Sequence, residues 1–145
     1  MFKRLLIATD GSELAGKAVT TGLALAKSLD ATVVVVTATA PWTAMTNGEG
    51  LAFDFPIEEY EKGCAEHAER ILADVRINAG RQATACETVH VNDFPAEAIL
   101  AVAKDKNCDL IVMASHGRRG ISRLLLGSQA TRVVTLSVVP VLVCR

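Results

Sequence analysis

Four short segments of this chain are dominated by apolar and β-branched residues and show little alternation between apolar and polar positions. They span Leu5–Asp10, Ala31–Ala40, Leu110–Ala114 and Val139–Cys144. A β-strand that is covered on both faces has this character, whereas a strand with one face in solvent alternates. A fifth segment, Thr84–Val91, alternates in part and is predicted to be a half-exposed strand. The chain is therefore restricted to folds that cover a sheet from both sides.

Helical periodicity fills the stretches between these strands. Ser12 is placed to cap the first helix, and Pro95 suits the first position of a later one. The other helices are predicted over 57–80, over 95–107 and from Ser128 onward. Inward positions are predicted at Ala15, Ala18, Val19, Gly22, Leu25, Ala26 and Leu29 in the first helix, and at Ala130, Val133 and Val134 in the last. Because helical crossovers connect parallel strands, the pattern predicts an open, parallel α/β sheet with helices on both faces.

Length and composition fit one globular domain over residues 1–145. Half of the residues are hydrophobic and 21% are charged, which excludes a disordered chain. The formal net charge of -1 argues against a protein that coats nucleic acid or membrane. No apolar run approaches the roughly 18 residues that a membrane span needs, and the apolar start is too short for a secretory signal before Asp10. A cytoplasmic location is expected, with no membrane and no nucleic-acid partner.

The four cysteines carry no recognisable motif. Cys64, Cys86, Cys108 and Cys144 form no CxxC pair and no cluster with zinc-finger spacing. A disulfide or metal site would be the functional interpretation. The spacing favours four small buried apolar residues in a reducing compartment instead.

A long segment between the second strand and the second helix has no clear period. It runs from Pro41 to Pro56 and contains Trp42, Met45, Phe53 and Phe55. A loop of this length in a small domain is often a lid, a binding loop or disordered, and an irregular surface connection is the alternative. The residue pattern does not decide between the two.

Two strand ends differ from the others, and ligands of open α/β sheets bind at strand carboxyl ends. The first strand ends in Asp10 and a tight Gly11-Ser12 turn, and the fourth ends in "ASHGRRG". Small residues there let the backbone amides form an anion-binding nest, and the helix that opens at Gly127-Ser128 adds further N–H groups and a hydroxyl. His116, Arg118, Arg119 and Arg123 add positive charge. Together these features predict a site for a phosphate chain; singly they match an ordinary N-cap, a solvated face and a turn-forming aspartate.

Motifs for catalysis are lacking in the sequence. There is no GxxxxGK[ST] and no GxGxxG after the first strand, and no Ser/His/Asp or paired-carboxylate arrangement emerges. His67 is predicted to be a half-exposed helix residue, and His90 has no partner nearby in sequence. The chain therefore signals binding more strongly than catalysis.

The last strand raises the question of assembly. Val139–Cys144 is apolar, and only Pro140 and Arg145 interrupt or flank it. If this strand lies at a sheet edge, pairing with a second copy would remove an aggregation-prone edge. A helix or loop that covers the strand is the alternative. The absence of edge charges favours a homodimer.

The chain resembles the universal stress protein family over essentially its whole length. "LLIATDGSELAGKAV" is similar to that family's opening, and "PAEAILAVAKDKNCDLIVMASHGRRGISRLLLGS" with "PVLVCR" is similar to its closing half. The ATP-binding branch carries G-x2-G-x9-G-[S/T]; here Gly117 is followed, after nine residues, by Gly127 and Ser128. The resemblance implies a Rossmann-like sheet of the adenine nucleotide alpha hydrolase type, with strand order 3-2-1-4-5, and a dimer through the last strand.

The resemblance also implies a set of ATP contacts. Asp10 would lie near the ribose and phosphates, Ala8 and Thr9 would contact the base, and Ala38 would line the adenine pocket. The remaining implied nucleotide-binding residues are Met113, Ala114, Ser115, His116, Gly117, Arg118, Gly127, Ser128 and Gln129. Magnesium or manganese would bridge the phosphates near Asp10.

One position departs from the motif. Ala114 stands where the motif has its first glycine. If the backbone there is left-handed, alanine costs about 1–2 kcal/mol. If the position needs only a close approach, one methyl group is tolerated.

Three functions follow from these features. The leading one is an ATP-binding regulatory module that acts as a dimer in stress response. A dimeric interaction protein that binds no nucleotide is the second, favoured by Ala114 and the apolar last strand. A slow ATPase is the third, with Asp10 acting through water or metal as the one candidate base.

Overall fold

The computed structural model describes residues 1–42, 57–117 and 126–145. The strands are β1 (Arg4–Ala8), β2 (Thr32–Thr39), β3 (Cys86–Asn92), β4 (Leu110–Ala114) and β5 (Val141–Cys144). The helices are α1 (Glu13–Leu29), α2 (Ile57–Arg81), α3 (Pro95–Asp105) and α4 (Ser128–Leu136). All nine elements agree in type with the sequence-based prediction, and their ends differ by a few residues at most. Met45, Phe53, Phe55, Arg118, Arg119 and Arg123 lie outside the described residues.

The five strands form one parallel sheet of order β3-β2-β1-β4-β5, as the family resemblance implies. Leu5 of β1 pairs with Val33 of β2 on one side and with Leu110 of β4 on the other. The chain therefore builds outward from β1 to β3, crosses back over β1, and adds β4 and β5. Helices that follow β1 and β4 cover opposite faces, so a crevice opens between the carboxyl ends of these two strands.

Helices pack on both faces of the sheet, which explains why the inner strands lack polar alternation. Leu5 and Ile7 of β1 belong to the core under α1 and α2. Leu6, between them, belongs to the core under α3 and α4. All three side chains are fully buried, since successive residues of a strand point to opposite faces. The outer strand β3 alternates between half-buried and exposed residues, which confirms the prediction for this segment.

The helix starts agree with their sequence signals. Ser12 caps α1, and its Oγ accepts a hydrogen bond of 3.3 Å from the N–H of Ala15. Pro95 occupies the first turn of α3. Of the seven inward positions predicted for α1, five are buried, and Leu25 and Leu29 are half-buried; Leu23, outside the predicted set, is fully buried.

One inward prediction is wrong. Val134 of α4 is 45% exposed, whereas Ala130 and Val133 are buried. Each step along a helix turns by about 100°, so Val133 and Val134 face different directions. The buried stripe of α4 is therefore narrow: Ala130 and Val133 pack into the core under α3 and α4, and Val134 lies one step around the helix from it. Among the described residues, no helix is long and apolar enough to cross a membrane.

Two glycines of α1 make matched tests of how closely this helix packs on the sheet. A Cβ built on Gly22 would lie 2.5 Å from Ile7 Cδ1, whereas a Cβ on Gly16 meets no atom within 4 Å. Gly16→Ala should raise the free energy of unfolding by about 1 kcal/mol, since alanine favours helix. Gly22→Ala should lower it by about 1–2 kcal/mol, because buried Ile7 must move. Urea denaturation of both variants checks this; equal effects would contradict the close packing.

Candidate functional site

A cavity of about 320 Å³ opens at the carboxyl ends of β1 and β4, where the strand order reverses. Its walls come from the two strand ends, from β2 and from the first turns of α3 and α4. The lining residues are Ala8, Thr9, Asp10, Ala15, Val36, Ala38, Pro95, Ile99, Met113, Ala114, His116, Gly117, Gly127, Ser128, Gln129 and Ala130.

The turn after β1 is held by its own hydrogen bonds. Thr9 is buried, and its N–H donates to the carbonyl of Val36 at 3.0 Å. Thr9 Oγ1 accepts from the N–H of Gly11 at 3.2 Å, and Asp10 Oδ1 accepts from the N–H of Ser12 at 2.9 Å. Gly11 has a φ of 79°, a left-handed conformation that suits glycine. These bonds fix the Asp10 carboxylate at the cavity rim.

The turn after β4 approaches the same carboxylate. A Cβ built on Gly117 would lie 2.5 Å from Asp10 Oδ2. Any larger residue at position 117 would therefore displace the Asp10 side chain. The two glycine-bearing turns converge at one rim of the sheet, as the sequence predicts.

Two backbone hydrogen bonds connect β5, the turn after β4 and the start of α4. The N–H of Ser115 donates to the carbonyl of Cys144 at 2.7 Å, and the N–H of Gly127 donates to the carbonyl of Ser115 at 2.6 Å. Gly127 also packs tightly, since a Cβ there would lie 3.3 Å from His116 Cα. The amide of Gly127 is thus engaged within the protein and is not open to an anion. Ser115 is buried and does not line the cavity.

The first turn of α4 points at the cavity without a side-chain cap. Gly127 is the N-cap and provides no side-chain hydrogen bond, in contrast to Ser12 at the start of α1. The first hydrogen bond of the turn runs from the N–H of Thr131 to the carbonyl of Gly127. The three amides before it, those of Ser128, Gln129 and Ala130, precede any intrahelical acceptor and belong to lining residues. This end of the helix favours an anion.

The other side of the cavity is apolar. Ala8, Val36 and Ala38 line it from β1 and β2, and Ile99 and Met113 from α3 and β4. Eleven of the thirteen sequence-predicted site residues line the cavity. Ser115 is buried beside it and Arg118 lies outside the described residues. Sequence reasoning missed five lining residues, namely Ala15, Val36, Pro95, Ile99 and Ala130.

Part of what was missed carried a sequence signal. Val36 lies two residues before Ala38 on the same strand, and Pro95 lies four residues before Ile99 on one helix face. To predict from these spacings that the residues line the cavity, one must know which helix covers which strand end. That information comes from the strand order.

Charged groups at the described part of the cavity are few. Asp10 is the one carboxylate among the lining residues that the structure describes, and these include no lysine or arginine. His116 Nδ1 lies 3.4 Å from the Gly117 carbonyl oxygen. Within 1–42, 57–117 and 126–145, no group of three His, Cys, Asp or Glu side chains is placed to hold a metal ion.

The cysteines are free thiols, and their burial varies. Cys108 is buried, whereas Cys64, Cys86 and Cys144 are half-buried, which corrects the expectation of four buried residues. Cys86 and Cys144 lie on the two outer strands β3 and β5, and Cys64 lies on the outer helix α2, so none of the three is fully covered. Burial raises the pKa of Cys86 and of Cys108, which keeps both thiols protonated near neutral pH.

The two histidines outside the cavity make local contacts. His67 is half-buried on α2, as predicted. His90 Nε2 lies 2.8 Å from Thr39 Oγ1, a partner on the neighbouring strand that linear spacing could not reveal. Burial lowers the pKa of His90.

The structure decides between the two alternatives for Ala114. It is the last residue of β4 and pairs with Cys144 of β5. The left-handed non-glycine residues that the structure describes are Asp30, Ala83 and Asn107, and Ala114 is not one of them. Alanine therefore carries no backbone strain here. Its side chain is buried in the core under α1 and α2, and the residue borders the cavity.

Comparisons with known proteins agree with this architecture. The model of the universal stress protein family matches residues 1–145. The universal stress protein YxiE of Bacillus subtilis is 31% identical over 148 residues, covering all of both chains. The structure of UspA from Lactobacillus plantarum has a TM-score of 0.88 at 23% identity, over 99% of this chain and 98% of that one. A universal stress protein in complex with cAMP has a TM-score of 0.71 at 24% identity, over 98% and 95%.

The backbone conformation of Ala114 can be tested by replacing alanine with glycine at two positions, 114 and 83, in separate variants. Ala114→Gly should lower the free energy of unfolding by about 1–2 kcal/mol, because it removes a buried methyl group from a strand. Ala83→Gly, at φ 54°, should raise it by up to about 1 kcal/mol, since glycine relieves the left-handed backbone. Thermal and urea denaturation measure both; stabilisation by Ala114→Gly would contradict the assigned geometry.

Proposed function

Because the chain belongs to the universal stress protein family, we propose that it is a stress-response module that binds ATP in the cavity at the ends of β1 and β4. The observation that carries the proposal is the convergence of three features on one cavity. These are the Asp10 carboxylate, the close turn at Gly117 and the uncapped start of α4. A protein of the same fold is described in complex with cAMP, which also supports an adenine nucleotide as ligand.

The apolar side of the cavity suits a purine base. Val36, Ala38, Ile99 and Met113 offer aliphatic and thioether surface, and no charged group lies among them. A flat heteroaromatic ring that enters this space loses water from both its faces and gains dispersion contacts. The base accordingly occupies the β2 and α3 side.

The phosphates then extend toward α4. The amides of its first turn have no intrahelical acceptor, and the helix dipole typically adds 0.3–1 kcal/mol per favourable charge. The Ser128 hydroxyl lies on the same turn and lines the cavity. Gly127 leaves the approach to these amides free of a side chain.

Asp10 suits the ribose and a bridging cation. Its Oδ1 is engaged by the Ser12 amide, and its Oδ2 faces the Gly117 turn. A carboxylate accepts hydrogen bonds from ribose hydroxyls but repels phosphate oxygens. Mg²⁺ is commonly held by one or two carboxylates together with nucleotide phosphates, so Asp10 would serve as its protein ligand.

Binding, and not hydrolysis, is the proposed activity. Asp10 is the one acidic residue at the described cavity wall, and one of its oxygens already accepts a backbone hydrogen bond. The described lining residues include no second carboxylate and no lysine or arginine that would complete a hydrolytic site with Asp10.

ATP binding can be tested by calorimetric titration with Mg-ATP. Wild-type protein should bind, and Gly127→Val should weaken binding at least about tenfold, because its side chain meets His116 and obstructs the approach to α4. Gly63→Val is the matched control, since a Cβ at Gly63 meets no atom within 4 Å. Thermal melts confirm that each variant is folded. Absence of heat from wild-type protein up to millimolar Mg-ATP would overturn the proposal.

We also propose that the module is a homodimer that pairs through β5. This strand lies at the edge of the sheet, so one side of its backbone has no partner strand within the part of the chain that the structure describes. Apolar side chains around it are exposed: Val134 by 45%, Leu136 by 51%, Val138 by 99% and Leu142 by 37%. Two copies related by a two-fold axis would pair the strand edges and cover these side chains.

Sedimentation equilibrium checks the dimer. Leu142→Lys should shift the protein to a monomer, because each copy would then carry a charged side chain on the apolar edge strand that the proposed dimer covers. Ile77→Lys, at an apolar α2 side chain that is 54% exposed, should leave the association state unchanged. A wild-type monomer at micromolar concentration, or equal effects of both substitutions, would contradict the proposal.

A further inference from the structure

Two side-chain contacts join α3 and α4 beside the cavity. Gln129 Oε1 accepts a hydrogen bond of 3.0 Å from the N–H of Ala96. Three residues along α4, Arg132 Nε donates to Glu97 Oε1 at 2.6 Å. The first contact lies at the cavity wall and the second lies on the exposed surface. The two helices whose first turns face the ligand space are therefore held at two points.

The start of α3 depends on Gln129 for its cap. Phe94 is the N-cap residue and forms no side-chain hydrogen bond, and Pro95 has no N–H. Ala96 is fully buried, so its N–H requires an acceptor from elsewhere in the chain. The carboxamide oxygen of Gln129 provides that acceptor from the neighbouring helix.

This contact fixes the orientation of the Gln129 carboxamide. A backbone N–H pairs only with an acceptor, so Oε1 faces Ala96 and Nε2 is turned to the other side. Gln129 lines the cavity, and no acceptor within the described ranges pairs with Nε2. Two N–H donors are therefore available toward the ligand space, while the acceptor of the same group is already used.

We propose that Gln129 positions the site and selects its ligand, holding the first turn of α3 with its carbonyl and donating to a phosphate oxygen with its amide nitrogen. The inference rests on the proposed nucleotide function. Gln129 follows Ser128 in the first turn of α4, where the helix dipole favours an anion. A phosphate oxygen accepts and does not donate, which matches a group that has donors only. A ligand that presents an N–H or O–H here meets no acceptor.

Two substitutions separate the two roles. Gln129→Glu keeps an oxygen for Ala96 but presents a carboxylate to the phosphates, so ATP binding should weaken at least about tenfold. Hydrogen exchange at the Ala96 amide should stay within about twofold of wild type. Gln129→Leu loses both groups; exchange at Ala96 should accelerate at least about threefold, and ATP binding should also weaken.

Arg132→Met is the matched control, since it breaks the outer α3–α4 contact without altering the cavity wall. Its ATP affinity should stay within about twofold of wild type. ATP affinity of Gln129→Glu within twofold of wild type overturns the donor role, and wild-type exchange at Ala96 in Gln129→Leu overturns the cap. If wild-type protein binds no ATP, the proposed function and the donor role both fall, while exchange at Ala96 still decides the cap.

Discussion

Parallel pairing of β1 with both β2 and β4 is the constraint on which the rest of the structure depends. Leu5, Leu6 and Ile7 are fully buried and pair with both neighbouring strands, so the strand has no polar residue after Arg4. The helix after β1 covers one face and the helix after β4 covers the other. The segments that follow β1 and β4 therefore leave the sheet in opposite directions, and a cavity opens between the carboxyl ends of the two strands. The strand order alone produces this cavity, whatever side chains line it.

Backbone hydrogen bonds place the parts of the cavity relative to one another. Ser115 links the carbonyl of Cys144 on β5 to the N–H of Gly127 at the start of α4. The close approach of Gly117 to Asp10 brings the β1 turn against the β4 turn. The small residues of the two turns are needed for these contacts as much as for any ligand. The N–H of Gly127 is thereby hydrogen-bonded within the fold. The N–H groups of the next three residues, 128–130, have no intrahelical acceptor and can bind an anion.

The sequence predicts the elements well because each signal is local. Apolar runs mark the inner strands, Ser12 and Pro95 mark helix starts, and Asp10, Gly117, Gly127 and Ser128 lie in turns next to strand or helix ends. The prediction fails where an outcome depends on distant segments. Val134 is predicted to face inward on α4 but is 45% exposed, because the neighbouring segments that cover Val133 do not reach it. Ile99 and Val36 meet in one cavity although 63 residues separate them, and the Gln129–Ala96 and His90–Thr39 contacts join different elements.

Ala114 shows how a motif position and a physical requirement can differ. A glycine in a motif suggests either a left-handed backbone or a close approach, and sequence alone does not separate them. The strand pairing of Ala114 with Cys144 removes the first requirement, so one methyl group is compatible with the fold. The methyl group belongs to the buried core under α1 and α2, whereas the side chain of the preceding residue, Met113, belongs to the core on the other face of the sheet. An alanine at the motif's first glycine position is therefore compatible with the strand backbone, and its methyl group adds to the buried core beside the cavity.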